Sequence, residues 1–339
     1  MRGGFPILLL IFLSGCAPSR SQPAPLAQAL LDLPGVQSVS TWKTDLAREP
    51  GLRIETAHYL IYTTLDDAFI LRQTPVFLEF AFAAYRRMAG EIPIPAPKLP
   101  VYFFATRSQW ETFTRRWAGP TAPTYLRIRS GAYYSRGACV AWRLEREQHF
   151  GVLAHEGWHQ FAERFFACRL PAWLDEGIAT NFEAYRWERG QVHFDPTANR
   201  NRLRVLAQAA ADQRLFSLAE LVGYDAGRLL DRAPEEPNRY PEEKLSPAAI
   251  YYAQIYALVR FLREENRGQY AARLERLLAA ARAGRLPLTA DLLAESLWRD
   301  IPMTRRWNAQ AGREVFERGI SANWSEIEHA YEDFCRKLR

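Results

Sequence analysis

Two histidines separated by four positions enclose a glutamate at His155 to His159, in a chain with six histidines. If this segment is helical, the imidazoles of His155 and His159 lie on one face, at a separation that suits one tetrahedral Zn²⁺. Glu156 then lies on the open side of the metal. There it can take a proton from a metal-bound water and later pass it to a leaving amine. The pattern predicts a hydrolytic zinc site.

The residues around this motif favour a helix. They form a stripe of apolar side chains at helical spacing, with Gly157 as a poor helix former among them. The stripe consists of Leu153, Ala154, Trp158, Phe161, Ala162 and Phe165. We expect this face to anchor the helix in the core.

A third metal ligand is predicted in the segment Leu170 to Ala179. Pro171 suits the first turn of a second helix, and Glu176 then lies well inside that helix. A short loop would bring its carboxylate onto the zinc. Two histidines and one glutamate leave the fourth position for water, as in catalytic zinc sites.

His155 to Gln160, followed by Trp173 to Ala179, resembles the gluzincin metallopeptidases, especially the peptidase-MA-like bacterial envelope proteins and the neutral aminopeptidases. A weaker similarity extends from about residue 52 to the C-terminus. The resemblance implies an α+β, zincin-like fold of two lobes: a small mixed sheet with the active-site helix, then a mainly helical C-terminal lobe. It also implies one zinc ion per chain and a peptide or protein substrate.

Tyr252 to Leu262 resembles the helix that carries the catalytic tyrosine of the aminopeptidases. Tyr252 corresponds to that residue, and its phenol could donate a hydrogen bond to the oxyanion formed during peptide hydrolysis. The neighbouring Tyr251 is an alternative. The alternative interpretation, which the sequence supports equally well, is that Tyr252 only packs in the core.

The chain departs from these families at two positions. The aminopeptidases carry an acid on the edge strand that binds the substrate's amino terminus, whereas the strand Gly137 to Trp142 has none. An endopeptidase that pairs its substrate with this edge is therefore favoured. Thr180 stands where some gluzincins have an acid four residues after the third ligand, so the group that orients the first histidine stays open.

The N-terminus has the order of a secretory signal: Arg2, an apolar run from Phe5 to Leu13, then Leu13-Ser14-Gly15-Cys16. The last four residues resemble the bacterial lipobox, in which the cysteine is lipidated and becomes the first residue of the mature protein. Cys16 is thus predicted as the membrane attachment of an extracytoplasmic envelope protein. The remaining cysteines, Cys139, Cys168 and Cys335, allow either a Cys139–Cys168 bridge or free buried thiols.

Composition changes along the chain divide it into four parts. Residues 1–16 are the signal peptide, 17–50 a tether and N-terminal extension, 51–168 an α/β lobe with the zinc-binding helix, and 169–339 a mainly helical lobe with Glu176. A strand is expected over 53–63, a helix over 66–88, a strand over 100–105, and a helix after Ser108 with Glu111 in capping-box position. Further helices are expected near 200–213, 247–264, 267–284 and 323–338.

The formal charge of +6 does not predict nucleic-acid binding, because the arginines are scattered among acids rather than grouped. The alternative to an enzyme is a zinc-containing binding or scaffold lipoprotein without turnover. An intact Glu156 favours catalysis, since a structural zinc site requires no base and is usually closed by four protein ligands.

Replacing Cys16 by serine tests the lipid anchor. We expect Cys16→Ser to be released from the membrane or mislocalised, because serine offers no thiol for lipidation. Cell fractionation measures this. Cys168→Ser is the matched control and should fractionate like the parent. Unchanged membrane association and electrophoretic mobility of Cys16→Ser would contradict the lipoprotein assignment.

Overall fold

The computed structural model describes residues 24–90, 92, 97–128, 131–144, 148–225, 229, 245–298 and 304–338. The predicted signal peptide and lipidation site at Cys16 lie outside these residues, as do residues 226–228 and 230–244. Over the described parts, no helix combines the length and apolarity that crossing a membrane requires.

A six-stranded mixed sheet forms one side of the molecule. Its strands are β1 (Val36–Trp42), β2 (Gly51–Thr56), β3 (Tyr59–Thr63), β4 (Leu99–Phe104), β5 (Ala132–Ser135) and β6 (Ala138–Trp142). They lie in the order β1-β2-β3-β4-β6-β5. Strands β3, β4 and β6 are parallel, and the flanking strands are antiparallel to their neighbours. A separate hairpin is formed by β7 (Tyr185–Glu188) and β8 (Gln191–Phe194).

The other side of the molecule is helical. In chain order, the α-helices are α1 (Ala24–Leu31), α2 (Ala68–Ala89), α3 (Arg107–Ala118), α4 (Ala122–Leu126), α5 (Gln148–Phe165), α6 (Ala172–Asn181), α7 (Arg200–Ala211), α8 (Leu218–Gly223), α9 (Pro247–Glu264), α10 (Ala271–Arg282), α11 (Ala290–Leu297), α12 (Arg305–Gly319) and α13 (Trp324–Lys337). The described chain is therefore α+β, as the sequence predicts.

The main hydrophobic core is continuous from the sheet to the C-terminal helices. It joins buried residues of the sheet, such as Ile61 and Phe103, to those of the last helices, such as Val315 and Tyr331. A smaller core around Trp110 lies on the other face of the sheet, beneath α3.

Local sequence signals explain where α2 begins and ends. Asp67 caps α2 by accepting hydrogen bonds from the backbone N–H groups of Phe69 and Ile70. Gly90 ends the helix with a φ of 84°, a left-handed conformation that favours glycine. The predicted helix over 66–88 is thus confirmed within two residues.

The predicted tether and N-terminal extension, residues 17–50, contain two elements of the fold. Within 17–50, α1 forms over Ala24–Leu31 and β1 over Val36–Trp42, and β1 pairs with β2 at the edge of the sheet. The segment 53–63, expected as one strand, is a hairpin, because the chain reverses at Ala57 and His58. Period-two alternation continues through both strands and does not mark such a reversal.

The predicted start of the next helix is also corrected. Thr106, not Ser108, caps α3, and its capping-box partner is Gln109. Glu111 instead forms ion pairs with Arg107 and Arg115. The mainly helical region after residue 168 contains the β7–β8 hairpin, whose tight turn at Arg189 and Gly190 has two positive φ angles.

The edge strand beside the helices is β5 rather than the predicted Gly137 to Trp142 segment. That segment forms β6, which lies between β4 and β5 and is fully buried. Cys139 lies on β6, and all three described cysteines are buried free thiols, so no Cys139–Cys168 bridge is present.

Glycines allow the helices around the histidine motif to approach closely. A Cβ on Gly157 of α5 would lie 2.7 Å from the Tyr85 hydroxyl, which donates a hydrogen bond to the Ala154 carbonyl. A Cβ on Gly177 of α6 would lie 2.8 Å from the Val259 side chain of α9. Glycine is therefore required for packing at both positions, despite its poor helix propensity.

We expect Gly157→Ala to lower the free energy of unfolding by about 1–3 kcal/mol, because the added methyl group overlaps the Tyr85 hydroxyl. In a Tyr85→Phe background the hydroxyl is absent, and the same substitution should cost much less. Urea denaturation of the four proteins, all with chelator present, measures this coupling.

Gly223→Ala is the control for the added methyl group, because its Cβ would meet the flexible end of the Arg313 side chain at 3.4 Å. It should change stability little. If Gly157→Ala lowers the free energy of unfolding equally in both Tyr85 backgrounds, the contact with the Tyr85 hydroxyl is not the reason that glycine is required at position 157.

Candidate metal centre

The three predicted metal ligands converge on one point. Helix α5 carries His155 and His159 on one face, and α6 carries Glu176 opposite them. The His155 Nε2 atom lies 3.2 Å from Glu176 Oε2, and the His159 Nε2 atom lies 3.6 Å from the same oxygen. One ligand atom from each residue falls within 4.8 Å of the other two, so this group can hold a metal ion.

The Nδ1 atom of His155 is held by Glu183. The carboxylate lies 3.1 Å away, just beyond the C-terminal end of α6. The sequence left this partner open, because Thr180 stands where some gluzincins have an acid. Thr180 is instead buried, and its hydroxyl donates to the carbonyl of Gly177 in its own helix. The orienting acid follows Glu176 after seven residues rather than four.

The Nδ1 atom of His159 is held by Asp175. The Asp175 Oδ2 atom lies 3.0 Å from Nδ1, and its Oδ1 atom accepts a hydrogen bond from the Trp158 indole at 2.9 Å. Sequence reasoning did not assign Asp175. Its position directly before Glu176 is the signal that the sequence offers.

The electrostatics of the site require a cation between the rings or protons on them. Burial lowers the pKa of His155, but hydrogen bonds to Glu176 and Glu183 outweigh it and raise that pKa from 6.5 to about 9. Burial also lowers the pKa of His159, and Asp175 and Glu176 raise it well above its ordinary value. A metal ion would replace the Nε2 protons and offset the carboxylates, so the donor set suits a cation.

Glu156 lies on α5 beside the two ligands and binds neither of them. Burial raises the pKa of its carboxyl group, while the nearby His155 and His159 lower it. A hydrogen bond from the main chain of Tyr134, on the edge strand β5, also lowers it. The net pKa shift is upward, which suits a group that accepts and returns a proton near neutral pH.

Tyr252 faces the site, whereas Tyr251 packs away from it. The Tyr252 ring centroid lies 6.4 Å from that of His155. The Tyr251 side chain is fully buried, and its hydroxyl donates to the Tyr224 carbonyl at 3.1 Å. Of the two tyrosines, Tyr252 is therefore the one whose ring lies near His155. Burial and the negative charge of Glu176 raise its pKa well above 10, so its phenol keeps its proton.

Two further residues complete the surroundings of His155, and the sequence did not reveal them. Arg202 donates to both oxygens of Glu183, from Nε at 2.9 Å and from a terminal nitrogen at 2.7 Å. Asn199 donates to the same carboxylate at 3.0 Å and caps α7 at the Arg202 N–H. Asn199 and Arg202 lie 23 and 26 residues beyond Glu176, across the β7–β8 hairpin, where no local spacing links them to the motif.

The sequence matches no protein-family model and no curated protein. The resemblance to gluzincins therefore rests on the motif residues quoted above.

We expect equilibrium dialysis of the chelator-treated protein against Zn²⁺ or Co²⁺ to yield one tightly held ion per chain. His159→Ala should lower the bound metal sharply, because it removes one of three ligand atoms. His329→Ala is the control, since that side chain is 77% exposed and remote from the group. Stoichiometric tight binding by folded His159→Ala would remove His159 from the ligand set.

Proposed function

We propose that this chain is a zinc-dependent peptidase of the gluzincin type, with a zincin-like fold of two lobes that meet at the metal centre. The observation that carries the proposal is the convergence of His155, His159 and Glu176, with a carboxylate on each histidine Nδ1 and Glu156 beside them. A purely structural site would not need a further acid next to its ligands.

The ligand spacing supports zinc. Zinc bonds of about 2.0–2.1 Å at tetrahedral angles place two ligand atoms about 3.3–3.4 Å apart. The separations of 3.2 and 3.6 Å between Glu176 Oε2 and the two Nε2 atoms bracket that value. Two imidazoles and one carboxylate are also a usual ligand set of catalytic zinc, with a position left for water.

The residues of the chain then divide the work of peptide hydrolysis. When bound, zinc supplies a water of lowered pKa and a Lewis acid for the scissile carbonyl. Glu156 would accept a proton from a water that attacks the carbonyl carbon, and would return it to the amine nitrogen as the C–N bond breaks. The protonated phenol of Tyr252 donates a hydrogen bond to the developing oxyanion.

The edge strand supports an endopeptidase. A peptide in extended conformation can add to β5 by main-chain hydrogen bonds. Because the Tyr134 main chain contacts Glu156, a peptide on this strand would pass close to the base. Neither β5 nor β6 carries an acidic side chain that could select a free amino terminus. The substrate is thus an internal stretch of a peptide or protein.

The proposed location is the extracytoplasmic side of the cell envelope, with a lipid on Cys16 as the anchor. This part of the proposal rests on the lipobox-like Leu13 to Cys16 segment alone. A nucleic-acid partner is not part of it, since the motifs that carry chemistry are those of a hydrolase.

We expect Glu156→Gln to keep its zinc and fold but to lose at least about a hundredfold in peptidase turnover, because glutamine cannot accept the proton. The matched control is Glu163→Gln, the same change at an exposed position of the same helix. Peptide-library cleavage by the purified parent, with and without chelator, identifies the substrate for this measurement.

Turnover by Glu156→Gln equal to that of the parent would exclude the proposed mechanism even with zinc bound. A parent protein that binds zinc tightly yet cleaves nothing in the library would favour the scaffold lipoprotein instead.

A further inference from the structure

Arg202 contacts two different parts of the candidate site. Its side chain is 17% exposed, and its planar guanidinium faces Glu183 with two donors. The centre of the same group lies 5.1 Å from the centroid of the Tyr252 ring, within the range of a cation–π contact. Arg202 therefore contacts both Glu183, which holds the candidate ligand His155, and Tyr252, the candidate oxyanion donor.

The beginning of α7 fixes Arg202 in this position. The Asn199 side chain accepts a hydrogen bond from the Arg202 N–H at 3.3 Å and donates one to Glu183 at 3.0 Å. Backbone and side chain of Arg202 are thus tied to the same carboxylate. The Glu183 side chain has little freedom to rotate away from His155.

The positive charge of Arg202 also stabilises the Glu183 carboxylate. Glu183 lies in a buried site that already contains Glu176, and burying a further unpaired anion would be costly. Arg202 offsets this charge, because its guanidinium donates one hydrogen bond to each of the two carboxylate oxygens. Glu183 can therefore accept the His155 Nδ1–H as a carboxylate.

We propose that Arg202 is a positioning residue that holds the His155 imidazole, through Glu183, and the Tyr252 ring, through its guanidinium face, in one fixed relation. The Tyr252 half of this proposal rests on the proposed peptidase function, and the His155 half requires only a metal site. Lysine cannot replace arginine here, because an ammonium group lacks the planar pair of donors and stacks poorly on a ring.

The competing reading is an ion pair that merely stabilises the junction between α6 and α7. Such a pair would affect the melting temperature but not the metal ligands of the folded protein. The two readings are separated by Co²⁺, whose visible absorption reports the geometry of its ligands.

The first experiment titrates metal-depleted parent, Arg202→Met, Arg202→Lys and Glu183→Gln with Co²⁺. We expect Arg202→Met and Glu183→Gln to bind about 10- to 100-fold more weakly and to show a shifted visible spectrum. Arg202→Lys should recover the affinity only in part. Arg204→Met, an exposed position of the same helix, should match the parent.

The second experiment is a double-mutant cycle between Arg202→Met and Tyr252→Phe. Tyr252→Phe should lower kcat about 10- to 1000-fold in the parent background, with little change in KM. In the Arg202→Met background the loss should be clearly smaller, because the phenol is no longer held in place. Additive losses would overturn the Tyr252 half.

Folded Arg202→Met with the Co²⁺ affinity and spectrum of the parent would overturn the His155 half. If Arg202→Met does not fold, Arg202→Lys and Glu183→Gln decide the same question by the same spectra. A parent that binds Co²⁺ but cleaves no peptide would refute the proposed function while the metal titration still decides the role of Arg202.

Discussion

Each histidine of the candidate metal centre has a carboxylate on Nδ1, and the geometry of the site depends on these two contacts. An imidazole that is held at Nδ1 cannot rotate, so its remaining nitrogen points in one direction. Glu183 fixes His155 and Asp175 fixes His159, and both Nε2 atoms therefore face Glu176. Much of the surrounding structure serves to keep these two acids buried and in place.

Close helix packing makes those contacts possible. The side chains that meet at the centre are short relative to the diameter of a helix, so α5, α6 and α9 must approach closely. Gly157 and Gly177 permit this approach, and the Asn181 amide adds hydrogen bonds to the carbonyls of Gly177 and Tyr256 across α6 and α9. Glycine lowers the intrinsic stability of a helix, yet at these two positions it permits the close packing of the helices.

The sequence predicted the ligands but only part of their environment. His155, His159 and Glu176 could be found because four-residue spacing and a proline-initiated helix are local signals. Glu183, Arg202 and Asn199 could not, since their proximity depends on how the chain returns after the β7–β8 hairpin. The same limit applies to the fold: α2 and β4 followed from periodicity, whereas the edge position of β5 depends on strand order, which periodicity does not encode.

The continuous core has a consequence for how such a centre can change in evolution. Its groups come from both sides of residue 168: the helix that packs on the sheet supplies two ligands, and the helical region supplies the third ligand and its supports. Neither portion alone contains all three candidate ligands, so neither could form the centre if it were transferred to another protein by itself. A change that shifts one portion relative to the other therefore changes the geometry of the whole centre.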